Sequence, residues 1–176
     1  MNRYPPMAGT EVETLLGSLE RQRATFAWKC GGLDAEGLRA TVGVSAITIG
    51  GLLKHMAQVE DDYAYRRIRG QRPPEPWDPW DWDSAWTTAR DDAPEDLMAL
   101  WRGAADRNRA ATAELLERGG DLGALSEPIP PEGDRLSLRR LLVDLVEEYA
   151  RHVGHADLIR ETVDGLVGED PPDLEA

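Results

Sequence analysis

The stretch SLRRLLVDLVEEYARHVGHADLIRETVDG, residues 137–165, decides the fold class because its apolar residues recur every three or four positions. That spacing places side chains on one face of an α-helix, and such a face is typical of a helix packed in a bundle. Ser137 is a good N-cap residue, and Asp164-Gly165 predict the helix end. The stretch therefore predicts one long helix, running from Ser137 to about Val163.

Polar side chains interrupt the apolar face in the middle of this helix. The face runs through Leu138, Leu141, Leu145, Glu148, His152, His155 and Ile159. A carboxylate in an apolar interior is costly unless it is paired or bound to a metal. The pattern thus indicates a metal or cofactor site inside a bundle. The alternative is a pair of hydrogen-bonded core histidines, with Glu148 paired to Arg151 or to an arginine of another helix.

Glu148 and His152 are the better chelating pair, because residues four apart lie one turn apart on the same face. His55, the remaining histidine, lies on another apolar helical face and is the candidate third ligand. Two imidazoles and a carboxylate suit zinc with an open fourth position, and nickel or ferrous iron could also bind them. His155 is two turns from Glu148, about 10 Å along the axis. We therefore expect His155 beside a ligand or in the pocket wall.

Three further segments have helical periodicity, at about 10–30, from 45 or 48 to about 69, and at about 92–119. Thr10 can cap the first helix, and residues 33–41 predict a short helix of one or two turns. Residues 71–92 hold four prolines, which block helix continuation, so they predict a long ordered connection. The expected fold is all-α, a four-helix bundle with long crossover loops. We expect a single domain over 1–176, with its core at about 10–165 and a loose acidic tail at 166–176.

The net charge of −13 argues against nucleic-acid and anionic-membrane partners, which both require clustered positive charge. No apolar run is long enough to span a membrane, and the N-terminus lacks the apolar core of a signal peptide. The single cysteine, Cys30, cannot form an internal disulfide, which fits a reducing compartment. The expected location is therefore the cytoplasm.

Two features near the candidate ligands have alternative interpretations. Asp62, two turns after His55 on the same face, could orient a ligand imidazole or line the pocket. The alternative is that Glu60, Asp61 and Asp62 form a solvated acidic surface. A tryptophan cluster could cover the open end of the bundle as a lid, or pack the long connection against it. Its members are Trp77, Trp80, Trp82 and Trp86.

The two histidine-bearing stretches also resemble a known superfamily. GLLKHMAQVE (51–60) followed by EEYARHVGHADLIRETVDG (147–165) is similar to the DinB-like four-helix-bundle metalloproteins. The opening ERQRATFAWKCGGLDAEGLR (20–39) resembles an actinobacterial branch of them, classified mainly as a domain of unknown function. Many members use three histidines, whereas this chain has Glu148 four positions before His152. That variant is similar to mycothiol-dependent maleylpyruvate isomerase, whose zinc is held by two histidines and a glutamate.

The resemblance implies that His55, Glu148 and His152 are metal ligands and that His155 is not. It also implies a low-molecular-weight thiol cofactor, mycothiol or bacillithiol, in a transferase or isomerase reaction on a small electrophile. The alternative is a non-catalytic metal-binding bundle with a role in stress response or small-ligand binding. The expected partner is a small molecule, and bundles of this kind often form homodimers.

Overall fold

The computed structural model describes residues 4–77, 80–128 and 133–172, and this part of the chain is helical. Its α-helices are α1 Glu11–Cys30, α2 Ala35–Arg39, α3 Ile49–Asp61, α4 Trp82–Thr88, α5 Pro94–Gly119 and α6 Leu138–Asp164. A π-helix, Asp62–Ile68, continues α3, and a 3-10 turn, Ala89–Asp91, follows α4. Within the described ranges there is no β-strand, and one isolated bridge joins Leu125 to Ser137. The all-α prediction is confirmed.

The four long helices pack as a bundle, with α3 along α5 and α1 along α6. Further contacts join α1 to α3, and α6 to both α3 and α5. The apolar faces that the periodicity predicted are buried, including Leu52 and Met56 of α3 and Leu141 and Leu145 of α6. The four-helix-bundle prediction is confirmed. Both main pairs, α1 with α6 and α3 with α5, join helices that are far apart in the sequence.

The ends of the helices follow local sequence signals. Thr10 forms a capping box with Glu13, whose carboxylate accepts a hydrogen bond from the Thr10 N–H at 2.7 Å. The Ser137 side chain accepts from the N–H of the third residue of α6, at 3.3 Å. Gly120 and Gly165 end α5 and α6 with φ of 82° and 74°, a left-handed conformation that glycine adopts without steric cost.

The second long segment differs from the expected uninterrupted α-helix, because it widens into the π-helix at Asp62. A π-helix bonds residue i to residue i+5, and it is frequent at functional sites. The Asp62 carboxylate accepts hydrogen bonds from Arg66, four residues on, and from Arg67, five residues on. The wider turn lets one carboxylate reach both guanidinium groups.

The connection at 71–92, described apart from residues 78 and 79, contains a helix, α4, that the sequence did not predict. Its proline-free second half allows this helix, and the Asp81 side chain caps it by accepting from the Asp83 N–H at 2.9 Å. Trp77 is buried, and its indole N–H donates to Asp61 at 2.7 Å. This contact fastens the start of the connection to α3.

The alternative interpretation of Glu60, Asp61 and Asp62 as a solvated acidic surface is wrong, because all three side chains are buried and paired. Glu60 accepts two hydrogen bonds from Arg23 of α1, each 2.7 Å, and a further one from Tyr149. Arg107 of α5 donates two hydrogen bonds of 2.8 Å to Asp61. The acidic run therefore joins helices across the interior.

The acidic tail was expected to be loose, but the part that the structure describes, residues 166–172, contacts α1. Asp170 accepts two hydrogen bonds from Arg21 of α1, at 2.8 and 2.9 Å. The segment after α6 thus runs back along α1. Residues 173–176, the last part of the predicted tail, lie outside the described residues.

Candidate metal centre

Two helices bring together the three residues that the sequence predicts as metal ligands. His55 lies on α3, while Glu148 and His152 lie one turn apart on α6. One ligand atom from each residue can be chosen so that all three lie within 4.8 Å of one another. This is the span over which three side chains can converge on one ion, since zinc–ligand bonds are about 2.0–2.2 Å.

His55 has the environment of a side chain that needs a further partner. Its ring stacks on Trp86, with centroids 4.6 Å apart, and meets the His152 ring edge-on at 4.8 Å. Within the described part of the chain, its buried Nδ1 has no hydrogen-bond partner. Burial, with a further contribution from His152, lowers the pKa of His55 to about 4. The imidazole is therefore neutral at pH 7, the form that binds metals.

Glu148 and His152 point toward each other from successive turns. His152 Nε2 lies 3.4 Å from a Glu148 oxygen, and Arg151 approaches the same carboxylate at 3.9 Å. The hydrogen bond with His152 lowers the pKa of Glu148, so the group is a carboxylate at neutral pH. Arg151 is thus farther from the Glu148 carboxylate than the His152 imidazole is, and the imidazole is its closer partner.

His155 lies beside His152 and outside the three-residue cluster. The two Nδ1 atoms are 3.3 Å apart, so one ring must donate and the other accept. His152 therefore directs Nε2 toward Glu148 and Nδ1 toward His155. A ligand imidazole is commonly held in this way, through a hydrogen bond from the nitrogen that does not bind the ion.

Asp62 does not take the place expected for it beside a ligand imidazole. Its two oxygens accept hydrogen bonds from Arg66 and Arg67, and no hydrogen bond joins it to His55 in the described structure. The physical reason is the π-helix, which turns Asp62 toward the two arginines. Asp62 organises the neighbouring positive charge instead.

A cavity of about 230 Å³ opens onto the candidate centre. It is lined by His55, Val59, Tyr63, Arg67, Trp82 and Glu148. The periodicity identified Val59 and Tyr63 as core-facing positions, but it did not identify Arg67. Arg67 follows Tyr63 by four residues, as Tyr63 follows Val59 and Val59 follows His55, so continued helical spacing was the signal that could have identified it.

The tryptophan cluster has two structural roles rather than one. Trp86 and Trp82 of α4 lie against His55, at centroid distances of 4.6 and 6.1 Å, and cover the candidate centre. Trp77 is buried and anchors the connection, while Trp80 packs edge-on against Trp82 at 5.0 Å. The lid and the packing interpretations each describe part of the cluster.

Cys30 has no features of a reactive thiol. It is buried at the end of α1, and burial raises the pKa of its thiol above the usual range. A buried protonated thiol is a poor nucleophile. Any thiol chemistry at the candidate centre therefore requires a thiol from outside the chain.

A helical bundle with inward-facing histidine and glutamate side chains at an open pocket is the arrangement of the DinB-like class of proteins. The family model described as mycothiol-S-transferase matches residues 14–165. The chain belongs to the mycothiol-S-transferase family. A search of curated proteins found no match. Within the described residues, no helix is long and apolar enough to cross a membrane.

Proposed function

We propose that this protein holds a divalent metal ion, zinc in the first instance, through His55, Glu148 and His152, and transfers mycothiol to small electrophiles. The observation that carries the proposal is the convergence of three donor groups, one with an unpartnered buried nitrogen, on a pocket. Family membership supplies the thiol, because the matched family is that of mycothiol-S-transferases. Bacillithiol is the alternative thiol, and nickel or ferrous iron the alternative metal.

The donor set fits zinc chemically. A neutral imidazole and a carboxylate are ligands that zinc prefers, and His55 and Glu148 have those protonation states at pH 7. Bound zinc with an open position would favour the thiolate form of a thiol, which is the reactive nucleophile. In the transfer, the sulfur electron pair forms a bond to the electrophilic carbon, the leaving group departs with its own electron pair, and the thiol proton passes to solvent.

The chain's own residues would supply orientation and exclusion of water. Trp82 and Trp86 cover the His55 side of the pocket, and Val59 gives the electrophile an apolar wall. His155 would hold the His152 ring in place through their Nδ1 contact. The proposal includes a cytoplasmic location, where low-molecular-weight thiols are kept reduced.

The experiment is a thiol-transfer assay with zinc-loaded protein, mycothiol and 1-chloro-2,4-dinitrobenzene, which releases chloride as the carbon–sulfur bond forms. We expect a rate above that of thiol and electrophile without protein, and loss of that excess rate in His152→Ala. The matched control is Glu161→Gln, because Glu161 is exposed on the same helix. Zinc binding without any transfer, with mycothiol or with bacillithiol, would favour a non-catalytic metal-binding bundle.

A further inference from the structure

Arg67 is a cationic side chain on the pocket wall for which metal binding and thiol activation give no role. It lines the same cavity as His55 and Glu148. An arginine in such a position typically recognises a carboxylate or phosphate, because its planar fork matches those groups.

Two contacts hold the Arg67 guanidinium in place, and they leave its two terminal nitrogens unpaired among the described residues. The Arg67 Nε–H donates to Asp62, and the guanidinium carbon lies 4.5 Å from the centre of the Tyr63 ring. These two contacts fix the plane of the group. Its two terminal nitrogens make no hydrogen bond with any residue that the structure describes. The edge with those nitrogens is the one that binds a carboxylate with two parallel hydrogen bonds.

The carboxylates near Arg67 already have partners. Asp62 is shared between Arg66 and Arg67, and Asp144 is paired with Arg140 at 2.8 Å. Glu148, on the wall of the same cavity, lies 3.4 Å from His152. A carboxylate on the ligand would give the terminal nitrogens of Arg67 their acceptors, whereas a neutral ligand without acceptors would leave them unpaired.

The other residues that line the cavity indicate which kind of molecule would carry the carboxylate. Val59 and Trp82 give an apolar surface, and the cavity of about 230 Å³ suits a small organic molecule. We propose that Arg67 is a specificity-determining residue that binds the carboxylate of the electrophile, so that the preferred substrates are small apolar electrophiles bearing one carboxylate. The substrate class rests on the proposed function, but the binding of a carboxylate by Arg67 can be tested without it.

The test compares the binding of cinnamate and cinnamamide by calorimetry, since the two probes have the same apolar body and differ in charge. We expect the wild-type protein to bind cinnamate about tenfold more tightly, the effect of one charge-assisted pair. Arg67→Gln should reduce the ratio of the two dissociation constants to about one. Arg67→Lys, which keeps the charge but loses the fork, should give an intermediate ratio.

The matched control is Arg66→Gln. Arg66 also pairs with Asp62, at 2.8 Å, but it stacks on Trp80 and does not line the cavity. This variant loses the same charge from the same cluster, so its ratio should stay near that of the wild type. An equal loss in both variants would indicate a general field effect and overturn the proposal. Circular dichroism of each variant confirms that it is folded.

Zinc-free and zinc-loaded protein separate this proposal from the proposed function. A preference for cinnamate that survives Arg67→Gln and disappears on zinc removal would assign the carboxylate to the metal and overturn the proposal. A preference that depends on Arg67 in protein that neither takes up zinc nor transfers a thiol would leave the subsite standing and refute the transferase. Thiol transfer without any preference for cinnamate would support the transferase and refute the carboxylate subsite at Arg67.

Discussion

At the scale of single residues, His55 has the least satisfied environment in the candidate centre. A buried nitrogen without a hydrogen-bond partner costs about 1–3 kcal/mol, and a coordinated ion would remove that cost. Its ring is already oriented by the stacked Trp86, so little freedom remains to be lost on binding. His55 is therefore poised to act as a ligand.

We predict that His55→Ala abolishes stoichiometric zinc binding, because a pair of ligands from α6 cannot replace the third donor. Zinc content after equilibrium dialysis measures this, with wild-type protein expected to retain one ion per chain. Lys54→Ala is the control, since Lys54 is the neighbouring residue and pairs with Asp92 outside the cluster. Undiminished zinc in His55→Ala would remove His55 from the ligand set.

His155→Ala should have a smaller effect of a different kind. Its contact with His152 Nδ1 would orient the proposed ligand ring, and the loss of such a contact typically weakens metal affinity about 10–100-fold. We predict that this variant still binds one zinc ion, with a dissociation constant raised by that factor in a competition titration against a chromophoric chelator. A complete loss of zinc would make His155 a ligand.

At the scale of the elements, the end of α3 is bound to three neighbours through its acidic residues. Glu60 connects to Arg23 of α1 and to Tyr149 of α6, whose hydroxyl also accepts from Trp101 of α5 at 2.9 Å. Each donor is directed at an acceptor in the interior. The long helices are thus joined by a polar network as well as by apolar contacts.

We predict that Glu60→Ala destabilises the protein by about 3–5 kcal/mol, because it leaves the buried Arg23 without its main counter-charge. Glu127→Ala is the comparison, since it breaks an exposed pair with Arg118 and should cost at most about 1 kcal/mol. Urea denaturation provides both values. Similar values for the two variants would show that burial does not amplify the Glu60 interaction.

The elements also show what periodicity can and cannot predict. The spacing of three and four residues identified the buried faces of α3 and α6. Polar residues on those faces were therefore recognisable as candidates, and these are His55, Glu148 and His152. Periodicity does not distinguish a buried acidic residue from an exposed one when its partner comes from another helix. Asp61 and Glu60 therefore looked like surface residues, although Arg107 and Arg23 lie across the bundle.

The π-helix and α4 were missed for a related reason. A π-helix changes the period by less than one residue per turn, and its seven residues are too few for the apolar pattern to register the change. The prolines of the connection indicated a loop, whereas α4 begins after the last of them. The local signal for α4 was the cap residue Asp81, which follows the last proline.

At the scale of the whole molecule, the candidate centre connects two helices that are far apart in the sequence. An ion held by α3 and α6 binds the folded chain and not the unfolded one, so it must shift the unfolding equilibrium. The ion would add to a bundle whose α3 pairs mainly with α5 and whose α6 pairs mainly with α1.

We predict that zinc raises the melting temperature of the protein. At free zinc one hundred times the dissociation constant, the stabilisation is about 2.7 kcal/mol, which corresponds to about 5–10 °C for a chain of this size. Calorimetry with zinc and with excess chelator gives the difference. His152→Ala should show no zinc-dependent rise, and a rise equal to that of the wild type would place the ion elsewhere.

The switch from α-helix to π-helix within one continuous segment has an evolutionary consequence. His55 lies before the switch and Arg67 lies after it, so the proposed metal ligand and the proposed carboxylate-binding residue occupy separate stretches of backbone. On these proposals, substitution of Arg67 would alter which molecules are accepted while the position of His55 is preserved. Substrate preference could then diverge at one partly exposed residue, while the buried Tyr63, Ala64 and Ile68 keep the segment in the core.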